Sequence, residues 1–535
     1  MRTLCIIIAF GCGSHGAHST DASSTSIDAS AIDASATSDG ASVHGGIPTT
    51  MFSINWPTDS VVAPKRNNPW PTSVGADYGS LRTWGSIVDW NGIEPNPCAD
   101  PTTLDTCWVW TQLDAMVADT HGIGVDELHF VTADYPPWSN GSGTSATLPT
   151  DITSTTACTA IPAAFRTAAG LAAGDCSYQG FVFALAMHSC ATCNAATGPW
   201  QGAMTIRSFS PGNEVNGKGY VDPPCSGSAT TPCAQVARMA SDLYKIVKYV
   251  DATVVVGTPS FTQLDGSDAM RNYFTYASAY GDIADVDIFH IYGQNGEIGA
   301  GMPEVNWTSR IAGYSELAPG KPMWVDEGGW GQNFQTNSAG QACGSSASDC
   351  GCSDAPIAAC MDADNVGSNE LIDGLLTAPP AGYLVRGYLA MLAGGVQRFY
   401  WYAPGADEWG SFADCAGGSA CTNTPTSAAF AWASMYRWLV GATLGTLAQT
   451  GSQYTYPIAM KDSARPTGCG TIASAPANYH ALIAWDTAGA STFDCTGYSS
   501  YCTLFEGSAA PFGSGASHPC SGSVQLGPNP ILLEP

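Results

Sequence analysis

The chain has 535 residues, room for several domain-sized units or for one α/β barrel, which takes about 250 residues alone, together with an accessory domain. Lys and Arg number 18 against 45 Asp and Glu, and the net charge of -27 repels nucleic-acid phosphates and anionic lipid head groups, which excludes both as partners. Only 12% of residues are charged while 44% are hydrophobic, so the chain can bury a core, and no apolar run reaches the roughly 18 residues of a membrane-spanning helix.

Met1-Arg2, the apolar stretch Leu4 to Phe10 and small residues at Gly11 and Gly13 have the layout of a secretory signal over residues 1–13. Ala9-Phe10-Gly11-Cys12 is similar to a loose bacterial lipobox, which leaves two routes open: a lipid anchor through Cys12, or simple secretion. Residues 14–46 are Ser, Ala, Asp and Thr in a drifting repeat, Ile27-Asp28-Ala29-Ser30 then Ile32-Asp33-Ala34-Ser35, and hold too little apolar area to fold. They read as a disordered tether, and the expected location is extracellular, at a bacterial cell surface or periplasmic. Of the 20 cysteines, Cys5 and Cys12 belong to the leader, and the even number left is compatible with disulfides in an oxidising compartment. Spacing suggests the local pairs Cys98 with Cys107, Cys158 with Cys176, Cys225 with Cys233 and Cys415 with Cys421. His188-x-Cys190-x-x-Cys193 has the residue types of a zinc or redox site, but disulfide bonding is the simpler reading in so cysteine-rich a chain.

From residue 49 onward, apolar runs rich in Val, Ile, Phe and Tyr alternate with helix-compatible segments, the pattern of repeated βα units around a parallel sheet. The runs are Met51 to Asn55, Ser80 to Trp84, Glu127 to Thr132, Met204 to Ser210, Thr253 to Thr258, Val286 to Tyr292, Pro322 to Asp326 and Val396 to Tyr402. Helices are expected over Trp110 to Thr120, Gly180 to His188, Ala234 to Tyr249, Met270 to Tyr280 and Tyr383 to Leu392. Eight strands is the barrel number, so residues 47–440 are expected to form a (β/α)8 TIM barrel. Insertions at 139–178 and 333–368 follow the third and seventh strands, on the face where barrels build their sites. Residues 441–535 read as an all-β sandwich domain with strands near Tyr454 to Met460, His480 to Asp486 and Val524 to Leu533.

In such a barrel the useful side chains end the strands. Two Glu do so before a Gly/Asn-rich turn: Glu214, in Ser208-Phe209-Ser210-Pro211-Gly212-Asn213-Glu214, and Glu327, in Met323-Trp324-Val325-Asp326-Glu327-Gly328-Gly329-Trp330. This pattern resembles clan A of the retaining glycoside hydrolases, whose acid/base Glu follows an Asn after strand four and whose nucleophile Glu ends strand seven. Further segments are similar in the same order over residues 49–440: Leu81-Arg82-Thr83-Trp84, Trp90 through Pro95, Pro137-Trp138, Phe289-His290-Ile291-Tyr292-Gly293 and Phe399-Tyr400-Trp401-Tyr402. Within the clan the likeness is nearest to the family of β-xylosidases and α-iduronidases. The clan usually has an aromatic residue or Thr before the Asn and often Pro after the Glu, where this chain has Gly212 and Val215.

The resemblance implies a secreted or surface-anchored retaining glycosidase that cleaves β-glycosidic bonds in poly- or oligosaccharides by double displacement. Glycosidic cleavage needs a proton on the departing oxygen and a nucleophile on the opposite side of the anomeric carbon, which two carboxyls about 5–5.5 Å apart supply with retention. Glu214 is expected to be the acid/base, kept protonated by an ionised Glu327, and Glu327 the nucleophile. Arg82 and Tyr292 are expected to hold Glu327, with His290, two residues from Tyr292, on the same side of its strand. Asn213 is expected to donate to a sugar hydroxyl, and Trp401, Trp138, Trp84 and Trp330 to stack on a pyranose face. Glu297 and Glu408, in loops, are rivals for substrate contact, while Asp326 is expected on the opposite side of its strand from Glu327, as a structural residue. The expectation is a monomer acting on a carbohydrate, without cofactor, calcium or other metal. Two alternatives stay open, a transglycosidase using the same residues and a carbohydrate-binding protein on an inactive barrel.

Overall fold

The structure is a computed structural model that describes residues 46–57, 78–84, 88–98, 107–122, 125, 127–190, 205–227, 230–262, 266–293, 303–330, 380–402, 427–461, 479–488, 491–506 and 513–535. The leader, the tether to residue 45, the insertion at 333–368, Cys193, Glu297, Glu408 and the pair Cys415 and Cys421 lie outside the described residues.

Eight parallel strands, β1 (Phe52–Pro57), β2 (Ser80–Trp84), β3 (Glu127–Val131), β4 (Thr205–Ser210), β5 (Val255–Val256), β6 (Asp287–Gly293), β7 (Met323–Trp330) and β8 (Val396–Tyr402), pair in the order β5-β4-β3-β2-β1-β8-β7-β6. A parallel bridge between Gly257 and Val286 joins the two ends, and the sheet closes into a (β/α)8 barrel. Among the described residues seven long helices flank it: α1 (Thr111–Gly122), α2 (Cys176–Ser189), α3 (Thr230–Val250), α4 (Gly266–Ala277), α5 (Pro303–Leu317), α6 (Pro380–Ala393) and α7 (Ser427–Leu439).

Each expected apolar run holds a strand, although β5 is shorter than its run and β7 continues past Asp326 to Trp330. The five expected helices form with shifted ends, while α5 and α7 were not expected. Pro303 reads as a breaker, yet it opens α5, where its missing N–H has no partner to lose. In α7 nearly the whole circumference is buried, including Ala428, Ala431, Trp432, Met435 and Trp438, so it carries no polar stripe to mark a helical period.

Strand alternation sorts the core. Phe52, Ile54, Phe209, Phe289, Ile291 and Phe399 are buried and belong to the hydrophobic core shared with the helices, where Phe52 stacks on Tyr388 and meets Trp432 edge-on. The alternate residues are polar and equally buried: Ser53, Asn55, Ser80, Arg82, His129, Ser208 and His290. The barrel interior therefore carries a polar column, beside an apolar cluster of Val286, Ile288 and Trp324, that begins with the Arg398 Nη1 to Glu127 Oε2 bond (2.7 Å) and the Ser80–Tyr400 hydroxyl pair (3.0 Å) and ends at the candidate site.

After α7 the strands turn antiparallel. Gln453–Lys461, Ala481–Asp486 and Ile531–Glu534 lie side by side in a seven-stranded sheet, and the hairpin-like pair Ser491–Asp494 with Ser523–Leu526 packs on it through Val524, Leu526, Ile531 and Leu533, in the manner of a β-sandwich. The expected strand Val524 to Leu533 is in fact two, because Gly527-Pro528 interrupts it. Cys98–Cys107, Cys158–Cys176 and Cys225–Cys233 are bonded as spacing suggested, and Cys495–Cys520 forms across the sandwich. Cys190 is also disulfide-bonded, and His188 stacks on Trp110 at 4.1 Å while contacting Asp114 at 2.8 Å, so neither is set up as a zinc ligand. Among the described residues no helix is long and apolar enough to cross a membrane.

Barrel and sandwich share a hydrophobic core, and a buried ion pair lies at their junction. Arg386 of α6 donates from Nε and Nη2 to Glu304 of α5 at 2.5 and 2.9 Å, and Trp485 of the sandwich donates its indole N–H to the same Glu304 oxygen at 2.7 Å. Removing one member of a buried pair strands the other charge, at about 3–5 kcal/mol. Glu304→Gln is expected to lower stability by that order in chemical denaturation; a loss below about 1 kcal/mol, the ceiling for an exposed pair, would contradict the assignment.

Candidate active site

The site grows from Arg82, wholly buried at the C-terminal end of β2. Its Nε donates to Asp326 Oδ2 (2.8 Å), Nη1 to Glu327 Oε2 (2.7 Å) and Nη2 to Asn213 Oδ1 (2.5 Å), so one guanidinium ties β2 to β4 and β7. Tyr292 donates its hydroxyl to the other Glu327 oxygen at 2.5 Å, and both oxygens of that carboxylate are thereby held. Because Arg82 takes Asn213 Oδ1, the Asn213 Nδ2 donor is left buried without a partner.

Asp326 departs from expectation. Simple alternation puts it on the opposite side of β7 from Glu327, yet it lies in the same cluster, within 2.8 Å of Arg82 Nε and 3.1 Å of His290 Nε2. The cause is a bulge: Phe289 pairs with Val325 and His290 with Glu327, so Asp326 is the extra residue and the strand turns both carboxylates inward.

Glu214 sits in a turn that its sequence makes unusual. Gly212 has φ +103°, and a Cβ there would come within 2.9 Å of Val215 Cγ1, which explains glycine where an aromatic residue or Thr is usual in the resembled clan. Glu214 itself has φ +39°, a left-handed conformation held by Ser260, whose hydroxyl and carbonyl accept the N–H groups of Glu214 (3.0 Å) and Val215 (3.1 Å). Its carboxylate faces inward, where His290 Nδ1 meets Oε1 at 2.9 Å.

His290, Glu214 and Glu327 each offer an atom within 4.8 Å of the others. Burial opposes a charge on His290, but Glu327 and Asp326 outweigh it and raise the imidazole to about 10. Burial likewise pushes Glu214 up, but the His290 hydrogen bond and charge prevail and its carboxyl falls below the usual value. This corrects the expectation that Glu327 keeps Glu214 protonated: in the free protein the proton of the pair rests on His290. Burial also works against Asp326, and Arg82 and then His290 hold it far below the usual carboxylate range. The trio has ligand types for a metal, yet a protonated imidazole has no lone pair to give and the Arg82 charge sits on Glu327, so the arrangement fits a hydrogen-bonded ion cluster better.

The structure thus brings together Arg82, Asn213, Glu214, His290, Tyr292 and Glu327. Trp138 lies half-buried after β3, its indole N–H donated to the Glu94 carbonyl (2.9 Å) and its ring edge-on to Trp90. Trp401 does not take the expected stacking position. It is 1% exposed and packs with Phe399, two residues before it, against Tyr388 of α6. Trp84 and Trp330 end β2 and β7, but their side chains lie outside the described residues. Sequence reading missed His129, which contacts Ser208 Oγ at 2.9 Å and Asp326 Oδ2 at 3.5 Å, and Ser260; nothing in a period-2 pattern marks either.

No protein-family model matches the chain, and no curated protein sequence does. Among solved structures it is similar to a glucosidase from Croceicoccus marinus (13% identity, covering 92% of this chain and 96% of that one, TM-score 0.51). It is also similar to a family 39 glycoside hydrolase from Bacteroides cellulosilyticus (13%, 91% and 82%, TM-score 0.52) and to the catalytic domain of GH30 xylanase C from Talaromyces cellulolyticus (11%, 92% and 99%, TM-score 0.52). At these identities the likeness is one of fold.

The raised His290 gives a pH signature. Its folded value of about 10 lies above the ordinary 6.5, so the stabilisation it brings is complete below about 6.5 and is lost as pH rises to 10. In thermal unfolding, wild type is expected to lose stability across that window relative to His290→Gln. Parallel curves for the two proteins would contradict a charged His290.

Proposed function

We propose that this chain is a secreted retaining glycoside hydrolase that cleaves β-linked poly- or oligosaccharides, with Glu327 as nucleophile and Glu214 as acid/base. The observation that carries the reading is that Glu214, in the turn after β4, and Glu327, within β7, of a closed barrel have oxygens within 4.8 Å of each other. Retaining pairs are spaced about 5–5.5 Å apart, whereas an inverting pair needs about 6.5–9.5 Å to admit a water. The neighbours, a glucosidase, a family 39 glycoside hydrolase and a xylanase, support the same class.

The steps follow from the geometry. Arg82 and Tyr292 aim Glu327 by holding both its oxygens, so attack on the anomeric carbon needs no side-chain search. The proton passes from His290 to Glu214 along their 2.9 Å contact and on to the departing oxygen, which leaves Glu214 ionised. Once Glu327 is esterified, ionised Glu214 serves as base for the incoming water. The free Asn213 Nδ2 supplies the donor for a hydroxyl beside the anomeric carbon, an interaction that strengthens as the ring flattens. In this reading residues 47–440 are the catalytic barrel, 441–535 an accessory sandwich and 14–46 a tether outside the cell. The xylanase neighbour and the likeness to β-xylosidases direct the first assays to β-xylosides and xylan.

A panel of β-linked glycans, followed by release of reducing ends, is expected to identify a substrate whose first product keeps the β configuration by NMR. Glu214→Gln is expected to lower kcat by about 10²–10⁴-fold, the range for a lost acid/base, and Glu327→Gln by at least as much. First release of the α-anomer, or full activity in either variant, would overturn the assignment; binding without turnover would make the chain a carbohydrate-binding protein.

A further inference from the structure

Past the short β5 the chain stays between its neighbours: Gly257 donates its N–H to Phe209 of β4 and Thr258 donates to Val286, just before β6. The next residues, Ser260, Phe261 and Thr262, hold both members of the Glu214–His290 pair. Ser260 takes the Glu214 side, accepting the N–H groups of Glu214 and Val215 and donating its own to the Gly212 carbonyl (3.4 Å). Phe261 takes the other side, its carbonyl accepting the His290 N–H at 2.8 Å while its ring lies wholly buried against Tyr273 of α4. Thr262 is clasped by Asn216, two residues beyond Glu214, whose side-chain amide donates to the Thr262 carbonyl (2.8 Å) and accepts the Thr262 N–H (2.9 Å). Both main-chain groups of Thr262 are thereby used, and its hydroxyl bonds the Glu214 carboxylate.

We propose that Thr262 is a positioning residue for the second half of the glycosidase reaction, its hydroxyl keeping Glu214 ionised and aimed as the base. The proposal rests on the function given above and deepens its acid/base step. In the first half the pair must hold a proton for the departing oxygen, and His290 stores it. In the second half a water oxygen bonds to the anomeric carbon, the bond from that carbon to Glu327 breaks, and the water's proton passes to Glu214, which must therefore be ionised. By then His290 has given up its proton, and with it the charge that favoured the anion. A threonine hydroxyl carries no charge to lose, so it donates to the carboxylate in both halves. Burial opposes an ionised Glu214, and the bonds from His290 first and Thr262 after it offset that burial.

The clasp does more than the turn requires. Ser260 already satisfies the N–H groups of Glu214 and Val215, yet Asn216 spends both ends of its amide on the Thr262 main chain. A β-branched side chain has few χ1 choices, so fixing its main chain fixes where the hydroxyl points. The charged and titratable groups that face Glu214 are His290 and Tyr292 of β6, Arg82 of β2, Glu327 of β7 and Tyr220 of its own loop. A substitution at Thr262 leaves all of them in place.

The test compares the full chain with Thr262→Val, which keeps the shape and loses the hydroxyl, and with Thr262→Ser, which restores it. In protein carrying ¹³C-labelled histidine, the His290 NMR signal, assigned by its loss in His290→Gln, reports the ionisation of Glu214 on the acid side without any substrate. That inflection is expected to move up by about one pH unit in Thr262→Val, the order for one lost bond to an ionised group, and to return in Thr262→Ser. With 2,4-dinitrophenyl β-xyloside, whose good leaving group makes the second half limiting, the acid limb of kcat is expected to move with it. An inflection unmoved in Thr262→Val, or a shift that Thr262→Ser does not reverse, overturns the role. A moved inflection with an unmoved limb overturns its part in the second half, and a moved inflection in a protein that turns over no glycoside overturns the glycosidase reading instead.

Discussion

A guanidinium sealed inside a barrel sets the terms for everything around it. Arg82 has no exposed surface, and an unpaired charge there would cost several kcal/mol, so the interior must supply compensating anions. Asp326 and Glu327 do so, and supplying two consecutive carboxylates from one strand is why β7 bulges. The positive charge then recruits Asn213 and, through the carboxylates, a protonated His290, which in turn holds Glu214. Arg82 thus fixes Glu327 directly, and Glu214 is placed by His290 and by its turn on Ser260.

That chain of dependence explains why the barrel inverts the usual arrangement of small α/β cores. Many apolar residues of its strands join the helix-facing core, while inward positions hold buried Ser, Arg and His in a hydrogen-bonded column beside a separate apolar cluster of Val286, Ile288 and Trp324. Such a column is stable only when its members are satisfied, and at the pocket end the unmatched Asn213 donor is the kind of group a bound hydroxyl completes. Stability comes from outside the column: aromatic packing between β1, α6 and α7, and the Glu304–Arg386–Trp485 junction with the sandwich.

Much of this was legible in the sequence because strand ends follow simple rules. Apolar runs marked all eight strands, and Glu214 does precede a turn, whereas the Gly-Gly after Glu327 continues β7 as strand. What escaped reading depended on tertiary context. Asp326 needed a bulge that alternation cannot foresee, and Trp401 stands at a strand end but faces α6, because it shares a side with Phe399. The protonation of Glu214 was misjudged for the same reason, since His290 comes from β6, far away in sequence, and its charge decides the balance. Helix α7 hid because burial on all sides erases periodicity, whereas Gly527-Pro528, which splits the last sandwich strand, was a turn signal within the sequence itself.

The central claim is that Glu327, held by Arg82 and Tyr292, forms a covalent bond to the sugar. Its most direct test is to incubate the protein with a 2-deoxy-2-fluoro-β-glycoside bearing a good leaving group and to map the labelled peptide by mass spectrometry. The account predicts one equivalent of fluorosugar on the peptide containing Glu327, with labelling slowed in Arg82→Lys. Label on any other residue, or none from a glycoside that the protein demonstrably turns over, would contradict it.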